Sequence, residues 1–239
     1  MNVYAFPNLD VTAESLDYFL LGRRTTSAAQ KHQSHVTFKV VTLALLGAMA
    51  ATLAAAQTTH TQTSENYQPI TGQQRLKWFV KSTVGPESLA GGLFSSGIGT
   101  ARDKPVEYGP HWGGYADRYG MRLTGVSTGN AMEAGFGALW GEDPRYFQSA
   151  NRSVKGRIGN VVLMTFAARQ RDGQLGPAYA RFISTPGNNF LSNAWRADSE
   201  ANSHDAALRT LYGFLGRMGG NAFQEFWPEV TKRVFHRKH

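Results

Sequence analysis

The sequence predicts a mainly α fold, a single compact, glycine-rich helical domain of about five to seven helices. Three observations lead there. Beyond residue 71 the apolar residues recur three or four apart, not at every second position. Glycine and proline breaks divide that stretch into segments of helical length. Finally, 26 of the 239 residues are glycine, and many fall at helical spacing instead of only in turns.

Taken in order, residues 1–35 carry Asp10, Glu14, Asp17, Arg23 and Arg24. That mixed charge is unlike the basic start of an export signal, so the segment reads as a mis-called or non-conforming N-terminal extension. Residues 36–56 contain Lys39, then the uncharged run from Val40 to Ala56, ending in Ala54, Ala55 and Ala56 before a polar stretch. A basic residue, an apolar run and an Ala-x-Ala site are the parts of a secretory signal peptide, with cleavage expected between Ala56 and Gln57. The run is 17 residues long, so an uncleaved anchor is the competing reading. Residues 57–70, rich in Thr and Gln, read as a flexible polar leader. Residues 71–239 form the helical domain.

Within that domain Leu76, Phe79, Val80 and Val84 share one helical face, with Arg75, Lys77 and Lys81 expected outside. Gly85-Pro86 breaks the helix, and Glu87 suits the first turn of the next. Residues 88–101 are a small-residue helix or a loop, and 103–110 a loop. From His111 to Gly141 the chain has no proline and keeps helical spacing until Glu142-Asp143-Pro144-Arg145 stops it. Further helices are expected over 153–170, around 178–183 between Pro177 and Pro186, and from Asp198-Ser199 onward. The last of these has Ala207, Leu211, Phe214, Leu215, Met218, Ala222 and Phe226 on one face, and Pro228 kinks or restarts it.

Composition removes several chemistries. With no cysteine there is no disulfide framework, zinc ribbon, iron–sulfur cluster or thiol nucleophile. Removing residues 1–56 takes away four of 25 basic and three of 17 acidic residues, leaving +7. That charge suits anionic envelope surfaces or plain solubility, and no nucleic-acid motif accompanies it. No metal site is expected: the histidines form no ligand-spaced pair in the folded part, and His204-Asp205 alone is a weak signal. No cofactor fingerprint occurs either, because Gly91-Gly92 with Gly97 and Gly99 lacks a preceding strand.

Gly125 and Gly129, Gly137 and Gly141, and Gly213 and Gly216 recur at helical spacing. Each would cost about 0.5–1 kcal/mol against alanine in an exposed helix, so close helix packing is their expected role. The polar residues that could carry acid/base chemistry are Asn130, Glu133, Asp143 and Arg145, if they converge. The plainer expectation is a structural ion-pair group. His111 is a candidate base or, more simply, a helix-start residue.

Gly129-Asn130-x-Met132-x-Ala134, then Glu142 to Phe147 (EDPRYF), then Glu225 to Glu229 (EFWPE) resemble a group of exported bacterial proteins of unassigned function. The resemblance covers about Gly72 to Phe235 and leaves residues 1–35 outside. It implies a signal peptide and a helical domain, with no activity, cofactor or catalytic residues carried over. The expectation is thus an exported cell-envelope protein in the periplasm or at a membrane. It is a non-enzymatic module that associates with a membrane surface or an envelope protein. The alternative is a hydrolase-like or lipid-modifying enzyme using Glu133, Asp143 and Arg145.

Overall fold

The architecture comes from a computed structural model, which describes residues 67–235. The expectations for residues 1–35, for the signal segment with Ala54, Ala56 and Gln57, and for most of the leader lie outside the described residues. Among the described residues are six α-helices: α1 (Gly72–Val84), α2 (Pro86–Ala101), α3 (Trp112–Trp140), α4 (Val154–Phe166), α5 (Tyr179–Leu191) and α6 (Ser203–Phe235). A short antiparallel hairpin, β1 (Ala167–Arg169) with β2 (Leu175–Pro177), joins α4 to α5. The fold is the expected single helical domain.

Local chemistry sets the helix ends. Thr71 and Gln74 form a capping box on α1. Gly85 ends α1 and starts α2, and a Cβ there would lie 2.2 Å from the Lys81 carbonyl oxygen, so no larger residue fits. Pro86 takes the first helical position, where a missing N–H costs nothing. His111 caps α3, its Nδ1 accepting from the Gly114 N–H at 3.1 Å. At the other end Gly141 adopts the left-handed conformation, φ 80°, that a side chain resists.

Three expectations about elements are corrected. The helix over 153–170 ends at Phe166. There the chain turns into β1, and Gln170, Asp172 and Gly173 close the hairpin, with Gln170 N–H donating to the Gln174 carbonyl at 2.8 Å. The short helix at 178–183 continues through Pro186 to Leu191. The last helix begins at Ser203 instead of near Ser199, because Asn202 Oδ1 accepts the Asp205 N–H at 2.9 Å, while Ser199 is drawn to Glu107.

Two long helices organise the rest. Along α3, Arg75 of α1 lies beside Ala134 and Gly137, Thr83 beside Asn130, and Gly92 of α2 beside Tyr119 and Arg122. Thus α1 and α2 run antiparallel to α3 in succession. Helix α5 also runs antiparallel to α3, Arg181 meeting Glu133 and Asn188 meeting Gly125. Its other side meets α6, where Thr185 packs on Gly213. Helix α4 lies antiparallel on the second half of α6, with Thr165 near Asn221 and Arg157 near Glu225.

The apolar core is small. Val161, Met164, Phe214 and a set of alanines (Ala167, Ala168, Ala178, Ala206, Ala207) are buried. Phe166 stacks on Phe182 and on Phe214, and Phe182 is tilted against Phe214, with centroids 5.6–6.2 Å apart. Around this lies an interior of charged and polar side chains, while many large apolar ones face out. On α1 the expectation holds in part: Lys77 and Lys81 are exposed as expected, but Arg75 turns inward at 9% exposed, while Leu76 (62%), Val80 and Val84 (48%) stand outside. On α6, Ala207 and Phe214 are inward as expected, but Leu211 and Leu215 stand outside.

Candidate functional site

Glu133 sits on the buried face of α3, in line with Gly125 and Gly137. Its Oε1 accepts from Arg181 Nε at 3.0 Å and its other oxygen from Arg217, so one carboxylate ties α3 to α5 and α6. Arg181 also donates to the carbonyls of Met164 and Thr165, both at 2.9 Å. These are last-turn acceptors of α4 that have no partner within the helix. Burial pulls the Arg217 guanidinium down to about 10, against the pull of Glu133.

Asp143, fully buried, belongs to a different group. Both its oxygens accept from Arg145, the closer contact being Nη2 at 2.6 Å. Oδ1 also takes the Arg145 N–H, and Oδ2 takes the Tyr67 hydroxyl at 3.1 Å. The sequence places Tyr67 in the flexible leader, yet it is anchored at this carboxylate. Its ring meets Phe147 edge-on at 5.9 Å, and burial together with Asp143 raises its hydroxyl to about 12. With these acceptor sites filled, Asp143 is a structural carboxylate.

The sequence shows Glu142 only as part of the helix stop and of the EDPRYF string, not as a functional carboxylate. Its two oxygens accept the N–H groups of Tyr179 and Ala180, each at 3.0 Å. It therefore caps α5, whose own N-cap residue, Ala178, has no side chain able to do so. Burial pushes its carboxyl above the usual range, partly offset by those two N–H groups. The space between Glu133, Glu142, Pro144 and Arg181 has no room for a water molecule.

A third group joins residues that the sequence shows only as parts of separate strings. Glu225 of α6 accepts from Arg157 Nε at 2.9 Å, from the Tyr146 hydroxyl at 2.6 Å and from the Ser149 N–H at 3.2 Å. Burial acts to raise its carboxyl, but these hydrogen bonds outweigh it and hold the group low. Arg157 reaches on to Glu229 and lies 4.3 Å from the centroid of Phe226. Thus the EDPRYF and EFWPE strings, far apart in sequence, meet through Tyr146 and Glu225.

Asn130 donates to Thr83 Oγ1 at 3.1 Å, and so joins α3 to α1 instead of joining the carboxylates. His111 is a helix cap. The sequence-proposed residues therefore do not converge: Glu133, Asp143 with Arg145, and Asn130 belong to three separate contacts. The signal that could have found the interior is a charged residue in line with glycines, as in Gly114, Arg118, Gly125, Glu133 and Gly137 on α3. Arg118 likewise points in and holds the loop after α2 through the carbonyls of Lys104, Pro105 and Gly109 at 2.7–2.8 Å.

Among the packing glycines, a Cβ at Gly129 would lie 3.1 Å from Asn188 and one at Gly213 2.9 Å from Thr185. At Gly137 it would lie 2.7 Å from Arg75, and Gly125 gives its carbonyl to Asn188 at 2.9 Å. Two expectations are corrected. Gly141 serves a left-handed turn, and Gly216 has nothing within 4 Å of its Cβ position.

An open groove of about 480 Å³ lies between Glu87, Tyr146, Phe147, Gln148 and the α6 residues Phe223, Gln224, Trp227 and Pro228. Among the described residues no cluster of three or more His, Asp or Glu could hold a metal ion; His204 and Asp205 contact each other at 3.3 Å. The chain matches no family model, no curated protein and no solved structure.

Proposed function

We propose that this chain is an exported cell-envelope protein, a non-enzymatic helical module that associates with a membrane or with a membrane-bound partner. The observation that carries this reading is the inverted distribution of polarity. Charged side chains (Arg75, Arg118, Arg157, Arg181, Glu133, Glu142, Asp143, Glu225) occupy the interior, while Leu76, Phe94, Trp112, Leu139, Tyr212 and Trp227 lie outside. A chain surrounded by water gains from the reverse arrangement. Extensive outward apolar surface marks a contact with lipid or protein, and inward-turned charges are how helices in apolar surroundings carry polar groups. Export is read from the segment ending at Ala56, and the EDPRYF and EFWPE strings support placing the chain with exported bacterial proteins. Among the described residues no helix is long and apolar enough to cross a membrane.

The enzymatic alternative needs Glu133, Asp143 and Arg145 around one opening; they lie in separate, saturated contacts and draw no support from the geometry. Fractionation of an expressing cell tests the proposal. The protein is expected in the membrane fraction, released by detergent and not by salt. Complete recovery in the soluble periplasmic fraction without detergent overturns it.

A further inference from the structure

Helix α6 sorts its side chains in a way that the fold does not itself use. Between Asp205 and Glu229 its charged residues are Arg209, Arg217 and Glu225. All three turn to internal partners: Arg209 to the Asn189 carbonyl and Asn193, Arg217 to Glu133, and Glu225 to Arg157. On the other side stand Leu211, Tyr212, Leu215, Phe223, Trp227 and Val230, 39–62% exposed. At about 100° per residue these share one side of the helix. Gly216, Gly219 and Gly220 lie among them and meet no atom within 4 Å of their Cβ positions. The result is a largely apolar outward face about 29 Å long at 1.5 Å per residue, with Glu229 paired to Arg157 near its end and Glu87 beside Phe223 and Trp227.

The charge distribution at the end of the chain indicates the occupant. In sequence, the basic residues Lys232, Arg233, Arg237 and Lys238 follow Val230, and Glu229 is paired with Arg157. An apolar helix side with a basic end matches the boundary between acyl chains and anionic headgroups. Tyr212 and Trp227 are amphipathic rings suited to that depth. A second copy packed in parallel would instead bring two basic ends together.

Resting on the membrane-associated reading, we propose that the outward face of α6, from Leu211 to Val230, is the surface by which this protein lies on an anionic lipid bilayer. The helix then lies in the membrane plane, because its inward side carries Arg209, Arg217 and Glu225 into the protein.

The chain contains no cysteine, so Gly219→Cys supplies a single thiol for an environment-sensitive fluorophore, at a position where a Cβ meets nothing. Gln73→Cys, exposed on α1, is the comparison. The full-length chain is expressed with export, and the protein recovered from the envelope is mixed with vesicles of mixed phosphatidylglycerol and phosphatidylcholine, or of phosphatidylcholine alone. The label at 219 is expected to shift to the blue on the anionic vesicles only, and the label at 73 on neither. Leu215→Glu with Phe223→Glu is expected to weaken anionic-vesicle binding about tenfold or more while circular dichroism stays helical. A label at 219 that stays in water on vesicle-bound protein overturns the proposed surface and leaves membrane association standing. Protein that binds no membrane overturns both. Equal shifts on the two vesicle types overturn the anionic requirement. Self-association without vesicles, abolished by the two glutamates, assigns the face to a second copy and overturns the lipid proposal.

Discussion

Single carboxylates hold this protein's helices together, and their chemistry makes distinct predictions. Glu133 compensates two arginines from two other helices. Glu133→Gln leaves Arg181 and Arg217 without a counter-ion in the interior and is expected to cost about 3–5 kcal/mol, measured by urea unfolding. Glu142 and Glu225 respond to pH with opposite sign. The folded-state carboxyl of Glu142 is raised, so its protonated form favours the fold below the ordinary glutamate value, and that contribution is lost as pH rises through the raised one. Glu225 is lowered, so its contribution is present above the ordinary value and is lost as pH falls through the lowered one. Thermal unfolding from about pH 6 to about pH 3 should therefore show Glu225→Gln with a weaker acid-induced loss of stability than the parent. Glu142→Gln should remove the opposing component, so that its loss toward acid is steeper. Identical pH profiles for the three proteins would contradict both assignments.

At the scale of the helix, Pro228 and the glycines show how backbone irregularities are absorbed. Pro228 lies inside α6 and has no N–H for the Gln224 carbonyl four residues earlier. That oxygen instead accepts from Gln148 Nε2 at 2.7 Å. Pro228→Ala restores the helical bond and is expected to stabilise by about 1–2 kcal/mol. Gln148→Ala should cost about 1 kcal/mol in the parent and almost nothing beside Pro228→Ala, a coupling that a double-mutant cycle reads directly. The glycines divide by environment. Gly137→Ala places a methyl group 2.7 Å from Arg75 and 3.2 Å from the Glu142 carbonyl, and is expected to lower stability by about 1–3 kcal/mol. Gly216→Ala meets nothing and should raise it by about 0.5–1 kcal/mol through helix propensity. Their thermal midpoints should move in opposite directions.

For the whole molecule, the buried arginines and glutamates and the outward apolar side chains belong to one arrangement. Interior charges are tolerable because each main group has a counter-charge or hydrogen-bond partners, and the apolar residues left outside then require a cover. Mild detergent should supply one. Its binding to the native surface is expected to raise the thermal midpoint by about 4 °C or more; a lower midpoint in detergent would contradict an apolar surface in need of cover.

Much of this molecule is legible in the chain alone. The mainly α class, the break at Gly85-Pro86, the helix start at His111 and the stop at Glu142 to Arg145 follow from residues acting on their own backbone within a few positions. Helical spacing also places Gly129, Gly137 and Gly213 on helix interfaces. Tertiary structure alone decides which side of each helix faces inward. Periodicity groups residues on a face, but the burial of that face depends on partners, and Arg217 finds Glu133 84 positions away in sequence. The same distance effect anchors Tyr67 on Asp143, makes Glu142 the cap of α5 and separates Asn130, Glu133 and Asp143 into three contacts. A charge turns inward where the fold supplies its partner, a counter-charge for Glu133 and Glu225, carbonyls for Arg75 and Arg118, and N–H groups for Glu142, and for most of these no local pattern encodes that meeting.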